Sequence, residues 1–168
     1  MSRRSWMAVL VAAALCLAFA APAAAADPVR PFGGHDRVVD TFIAPTTCPE
    51  GALWRYAATG SGLFLHLGHS SVSVSHCSFV DLASGTGSFG PGTITLTAAN
   101  GDELHLVHRG TFSLVMTTDG LTSVFDMTWT VVGGTGRFAG AVGAGTTHGS
   151  SLLSTGTTAA DYRGEISY

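Results

Sequence analysis

Two sets of residues in this chain have types and spacings that could support chemistry: a glycine run near the C-terminus and seven histidines. The run Gly133-Gly134-Thr135-Gly136-Arg137-Phe138-Ala139-Gly140-Ala141-Val142-Gly143-Ala144-Gly145 has the outline of a phosphate cradle. A P-loop, however, needs a lysine to reach the β- and γ-phosphates, and the chain contains none. A dinucleotide site needs G-x-G-x-x-G or -A between a strand and a helix, so that the pyrophosphate meets a helix N-terminus. Gly134, Gly136 and Ala139 have that spacing, and so do Gly85, Gly87 and Gly90. More glycines follow the first match, and Pro91-Gly92 with a Thr-rich run follows the second. Each glycine inside a helix costs about 1 kcal/mol against alanine, so neither segment starts one. The reading that remains is a structural glycine motif: Gly133, Gly134, Gly136, Arg137, Phe138 and Gly140 in a closely packed strand, with Arg137 and Phe138 on opposite faces. Arg137 then suits a clamp on a carboxylate.

The histidines point away from a local metal site. His66 and His69, and likewise His105 and His108, are spaced i, i+3, which on a strand sends the two rings to opposite faces. A set drawn across strands from His66, His76 and His108 stays open, beside the plainer reading of partly buried or surface histidines. No metal and no cofactor is expected. Gly-x-Ser-x-Gly, the nucleophile elbow of the α/β-hydrolases, is absent. Asp40, Asp126 and Glu165 could serve acid–base work, and solvated strand faces explain them equally well. Trp54, Tyr56, His76, His108, Phe125 and Trp129 are the candidates for lining a pocket, with ordinary core packing as the alternative for each.

Strands must position these side chains, because no segment after Ala26 holds a helical period. Ten short runs rich in Val, Thr, Phe, Leu and Trp lie between clusters of Gly, Asn, Asp and Ser. They are Arg37–Ala44, Trp54–Thr59, Leu63–Leu67, Val72–Phe79, Thr93–Ala98, Leu104–Arg109, Thr111–Thr117, Ser123–Val132, Arg137–His148 and Tyr162–Tyr168. This spacing predicts an all-β antiparallel barrel or sandwich. One hairpin can be set in register. A loop of Ala99, Asn100 and Gly101, with Gly101 left-handed, places Leu96 opposite Leu104 and Ile94 opposite Leu106. A two-residue loop would mix the apolar and polar faces. His108 then shares the Leu-rich face, and the same parity continues through Phe112, Leu114 and Met116.

Residues 1–26 read as a signal peptide: Arg3 and Arg4, an apolar run of about fourteen residues, too short to span a bilayer comfortably, and small residues before Asp27. The pattern Ser2-Arg3-Arg4-Ser5-Trp6-Met7 leaves twin-arginine export open beside the Sec route. A secreted single domain over residues 27–168 is the expectation, with no membrane span. Without Arg3 and Arg4, six arginines stand against 11 acids. That acidic balance argues against nucleic acid. Cys48 and Cys77 remain after cleavage, and in an oxidising compartment they form a disulfide.

In order along the chain come Leu65-His66-Leu67-Gly68-His69-Ser70, Val74-Ser75-His76-Cys77, Ala98 to Leu104, Gly133 to Gly145, and Tyr162 to Tyr168. Together these resemble a group of uncharacterised secreted bacterial proteins. The Gly-Gly-Thr-Gly-Arg-Phe-x-Gly-Ala element is also similar to one in the allene oxide cyclase and dirigent barrels. The resemblance implies an antiparallel β-barrel of about eight strands, allene oxide cyclase-like, with an apolar interior, as a monomer or homotrimer. Neither the catalytic glutamate region of the cyclases nor the acid and arginine pattern of the dirigent proteins maps onto this chain. A noncatalytic barrel binding a small apolar ligand or a partner protein is the first functional expectation. A cyclase or isomerase folding an apolar substrate inside the barrel is the alternative.

Overall fold

A computed structural model describes residues 27–168, and the signal peptide expected over residues 1–26 lies outside the described residues. Eight strands follow one another: β1 (Arg30–Ile43), β2 (Trp54–Phe64), β3 (Gly68–Asp81), β4 (Thr86–Ala98), β5 (Glu103–Thr117), β6 (Gly120–Gly134), β7 (Val142–Leu152) and β8 (Thr157–Ser167). Each pairs antiparallel with the next, and β8 pairs with β1, so the sheet closes into a barrel. Closure removes both free edges of the sheet. Among the described residues no helix is long and apolar enough to cross a membrane.

The β4–β5 hairpin has the register expected from its apolar parity. Leu96 faces Leu104, Ile94 faces Leu106 and Thr95 faces His105, and Gly101 turns the chain with a φ of 87°. Ile94, Leu96, Leu104 and Leu106 are fully buried. Met116, the last residue of that parity, is 77% exposed because it lies beyond the packed interior.

The ten expected runs differ from the eight strands in three informative places. Leu104–Arg109 and Thr111–Thr117 belong to one strand, β5, which passes unbroken through Gly110. Glycine is needed there for space: a Cβ would lie 2.6 Å from the Phe89 ring and 2.7 Å from Met127 Cβ. Leu63–Leu67 is the end of β2 and the following turn, where His66 and Gly68 take φ values of 69° and 72°. The third difference concerns the glycine motif, which is not a continuous strand. Gly133 and Gly134 end β6, and Gly136–Phe138 forms a short 3-10 helix before β7 begins at Val142. Positive φ values at Gly133, Gly136 and Gly140 lead the chain out of the sheet and back. Phe138 still points inward and Arg137 outward, now from a turn.

Only part of the glycine run lies in a strand, and there it makes room. A Cβ on Gly145 of β7 would overlap the indole of Trp129 and the carbonyl of Arg163, and one on Gly164 would lie 2.7 Å from the same indole. Removing two side chains from the barrel wall lets the Trp129 indole, the largest ring of the core, fill the space they vacate.

Candidate functional site

The barrel has two unlike ends. At the end carrying the β2–β3, β4–β5 and β6–β7 connections, the 3-10 turn folds Phe138 across the opening. Phe138 is fully buried, its ring 4.8 Å from that of Tyr168. Outside it, the Arg137 guanidinium donates to the His66 carbonyl at 2.7 Å and lies 3.7 Å from the Asp102 carboxylate. Phe32, Trp129, Val131 and Ile166 pack in this half, with Phe32 and Trp129 edge to face at 5.5 Å.

Toward the other end the interior is hollow. Inward positions there carry Ser78, Ser123, Ser151, Thr158 and Ala160, too small to meet across the barrel, and they leave a cavity of about 80 Å³. Its wall is otherwise aromatic and aliphatic, including Phe42, Trp54, Tyr56, Phe89, Phe112 and Phe125. Tyr56 stacks on His76 at 4.5 Å, and His76 stacks on Phe89 at 4.6 Å. The Cys48–Cys77 disulfide ties the β1–β2 loop to β3 beside this mouth, with Cα atoms 5.7 Å apart.

Five of the six pocket candidates, Trp54, Tyr56, His76, His108 and Phe125, line the cavity. Trp129 does not. It lies deeper, 2% exposed, with its indole N–H donating to the Thr146 carbonyl at 3.2 Å, held there by the gap opposite Gly145 and Gly164. Nor does His66 join His76 and His108. It sits in the β2–β3 turn at the sealed end, its Nε2 2.9 Å from the Pro31 carbonyl. Among the described residues no three His, Cys, Asp or Glu side chains converge in a metal-binding group. Asp126 and Glu165 face outward, and Asp126 pairs with His148 at 2.9 Å.

The histidines that do meet form a buried pair. His76 Nδ1 and His108 Nε2 are 3.0 Å apart, so one ring donates its proton to the other. A Cβ on Gly92 would fall 2.5 Å from His76 Cβ and 2.7 Å from His108 Cε1, so glycine on β4 makes the pair possible. Burial, with a smaller contribution from His108, lowers the pKa of His76 to about 3, and burial lowers that of His108 to about 4. Both rings are therefore neutral at physiological pH. His108 Nδ1 is buried without a hydrogen-bond partner.

Two carboxylates escaped or blurred in the sequence. Asp36 is 5% exposed, lines the cavity and accepts a 2.9 Å hydrogen bond from the Tyr162 hydroxyl on Oδ2, while Oδ1 has no partner. Desolvation raises its pKa to about 6, against the opposing effects of the Tyr162 hydrogen bond and of His35. Asp40 is fully engaged, accepting from Tyr56 at 2.8 Å, from Thr158 at 2.9 Å and from Ser151. Burial and the nearby Asp40 raise the pKa of Tyr56, and burial and Asp36 raise that of Tyr162, so both remain protonated donors. Strand parity could have found Asp36, because Phe32, Gly34, Asp36, Val38 and Asp40 alternate inward from Arg30. The charged triplet His35-Asp36-Arg37 and the glycines before it obscured that pattern.

The class defined by this geometry is a closed eight-stranded antiparallel barrel, plugged at one end and hollow at the other. No protein-family model matches the chain, and no curated protein matches it in sequence. Among solved structures it is similar to that of the pterocarpan synthase dirigent protein, at 15% identity and a TM-score of 0.52, over 85% of this chain and 97% of that one. The shared property is the fold, so the expected resemblance to the dirigent barrels holds at the level of architecture.

Proposed function

We propose that the protein is an exported barrel that binds a small, mainly apolar molecule in the mouth cavity without transforming it. The observation that carries this reading is the cavity itself: a largely aromatic and aliphatic lining that includes two residues with an unpartnered polar atom, Asp36 (Oδ1) and His108 (Nδ1). Preformed ligand sites have this composition, an apolar wall that drives binding and sparse polar groups that orient the guest. Export is supported by the signal-like residues 1–26 and by the Cys48–Cys77 disulfide, since such bonds persist in oxidising compartments.

Trp54 lies in the cavity wall and serves as the reporter. Titrating the protein with a panel of small aromatic and aliphatic compounds should change its tryptophan fluorescence saturably for at least one of them. The same titration of Ser123→Trp, which fills the cavity, should show no saturable binding. A flat response of the native protein across the panel rejects the reading.

A second reading, a cyclase or isomerase, is favoured by one observation. Asp36 is a carboxyl that holds its proton to about pH 6 inside an apolar chamber, where it could protonate an oxygen or carbon of a confined substrate. Turnover of a bound compound that vanishes in Asp36→Asn while binding persists would establish it over the first.

A further inference from the structure

The cavity is apolar almost everywhere, yet its charge is one-sided. Asp36 contributes a carboxyl to the wall, and no arginine lines the cavity. The chain has no lysine to supply a cation. Arg37, Arg109 and Arg163 are all exposed on the outer face, and Arg55 is turned to Ser75 at 3.3 Å. The histidines that could balance Asp36 from within are neutral by burial, and Tyr56 and Tyr162 stay protonated and carry no charge. His35, beside Asp36 in β1, is exposed to solvent, and Asp161 on β8 adds negative charge. A second carboxylate, Asp40, is nearby but has its oxygens occupied by three hydroxyls. Asp36 Oδ1 is therefore a buried acceptor on the cavity wall with no protein donor.

Leaving such a buried acceptor unpaired is unfavourable, and more so when it is ionised. A guest that brings both a hydrogen-bond donor and a positive charge removes that cost. The wall is also suited to a cation, because the faces of Trp54, Tyr56 and Phe42 attract positive charge through their quadrupoles. Phe42 meets Trp54 and Tyr56 edge to face at 5.5 and 5.7 Å, which fixes these rings around the mouth.

We infer that the guest is a small apolar amine, bound as its ammonium ion, with one N–H donated to Asp36 Oδ1 and the hydrocarbon part against the aromatic wall. This deepens the binding function proposed above and rests on it. Asp36 is a specificity determinant, since only its carboxylate distinguishes a cation from a neutral guest of the same shape. A carboxylate guest is repelled by Asp36 and Asp40 together.

The test uses three probes of one shape: 2-phenylethylamine, 2-phenylethanol and phenylacetate. Isothermal calorimetry or Trp54 fluorescence at pH 7 should rank the amine at least tenfold tighter than the alcohol, with the carboxylate weakest. Between pH 5 and 7 the affinity for the amine should rise about tenfold as Asp36 ionises with its pKa of about 6. Affinity for the alcohol should stay level or fall over the same range. Asp36→Asn should remove the preference for the amine and its pH dependence, so that amine and alcohol bind alike. If the alcohol binds as tightly as the amine, or the amine affinity is flat with pH, the amine assignment fails and the binding function stands. If none of the three binds, both fail. The pH series on the native protein decides the matter even if Asp36→Asn does not fold.

Discussion

The two ends of the barrel are built by the same eight strands and the same inward–outward alternation, yet one is solid and the other hollow. At the sealed end, glycines on β7 and β8 stand opposite the largest ring, and Trp129 fills the space they vacate. At the open end the small residues are serines, a threonine and an alanine, and no large side chain crosses to meet them. Small residues thus serve opposite purposes in the two halves. Whether a gap in the wall is filled depends on whether a large partner at the same level of the barrel reaches into it. The polar atoms largely follow this division: packed apolar side chains dominate the sealed half, while the hollow half holds the histidine pair and Asp36.

This contrast predicts that the halves can be damaged separately. The largest effect should come from Phe138→Ala, which empties the plug of the sealed end. Removing a fully buried phenylalanine typically costs about 3–5 kcal/mol, so the midpoint in urea should drop steeply while the folded protein still binds its guest. Loss of binding at unchanged stability would break the division between the ends.

Next comes the disulfide at the mouth. Replacing Cys48 and Cys77 with serine opens a loop spanning 29 residues of sequence separation, worth roughly 3–4 kcal/mol in the chain-entropy model. Here binding should weaken as well, because the β1–β2 loop beside Trp54 loses its tether. Denaturant unfolding and ligand titration of the same variant measure the two effects together.

The smallest effect concerns acid. His76 and His108 have depressed pKa values, so their neutral pairing contributes fully above about pH 6.5 and is lost as the pH falls toward 4 and 3. Asp36 runs the other way. Its raised pKa means that its contribution is full below about pH 3.8 and is lost as the pH rises through 6. The pair comprises two groups against one, so the native protein should lose thermal stability between pH 7 and 4. His76→Phe combined with His108→Leu should cut that fall by at least half. An unchanged acid profile would show that the hollow half does not set the pH response.

Much of the fold was legible in local sequence. Ile94, Leu96, Leu104 and Leu106 specify the β4–β5 register because a one-residue slip would turn every leucine outward. The parity of Phe125, Met127, Trp129 and Val131 likewise places all four inward on β6. Gly110 misled as a strand break because its role is to admit rings from neighbouring strands, which local pattern does not record. The glycine motif misled in the same way. It reads as strand, yet its positive φ values at Gly133, Gly136 and Gly140 make it the turn that covers the sealed end of the barrel.

What the chain determined by itself is its all-β character, the inward faces of strands such as β4, β5 and β6, and the cysteine pairing, since these follow from alternation, turn chemistry and the count of available thiols. What only the tertiary structure decided is which inward residues meet. His76 and His108 lie 32 residues apart and Asp36 and Tyr162 lie 126 apart, and each pair comes together because closure sets a single register around the ring. His66 and Trp129 carry the same chemistry in sequence and are excluded by position. The cavity is a difference between the space enclosed and the side chains that fill it, and that difference exists only once all eight strands have closed.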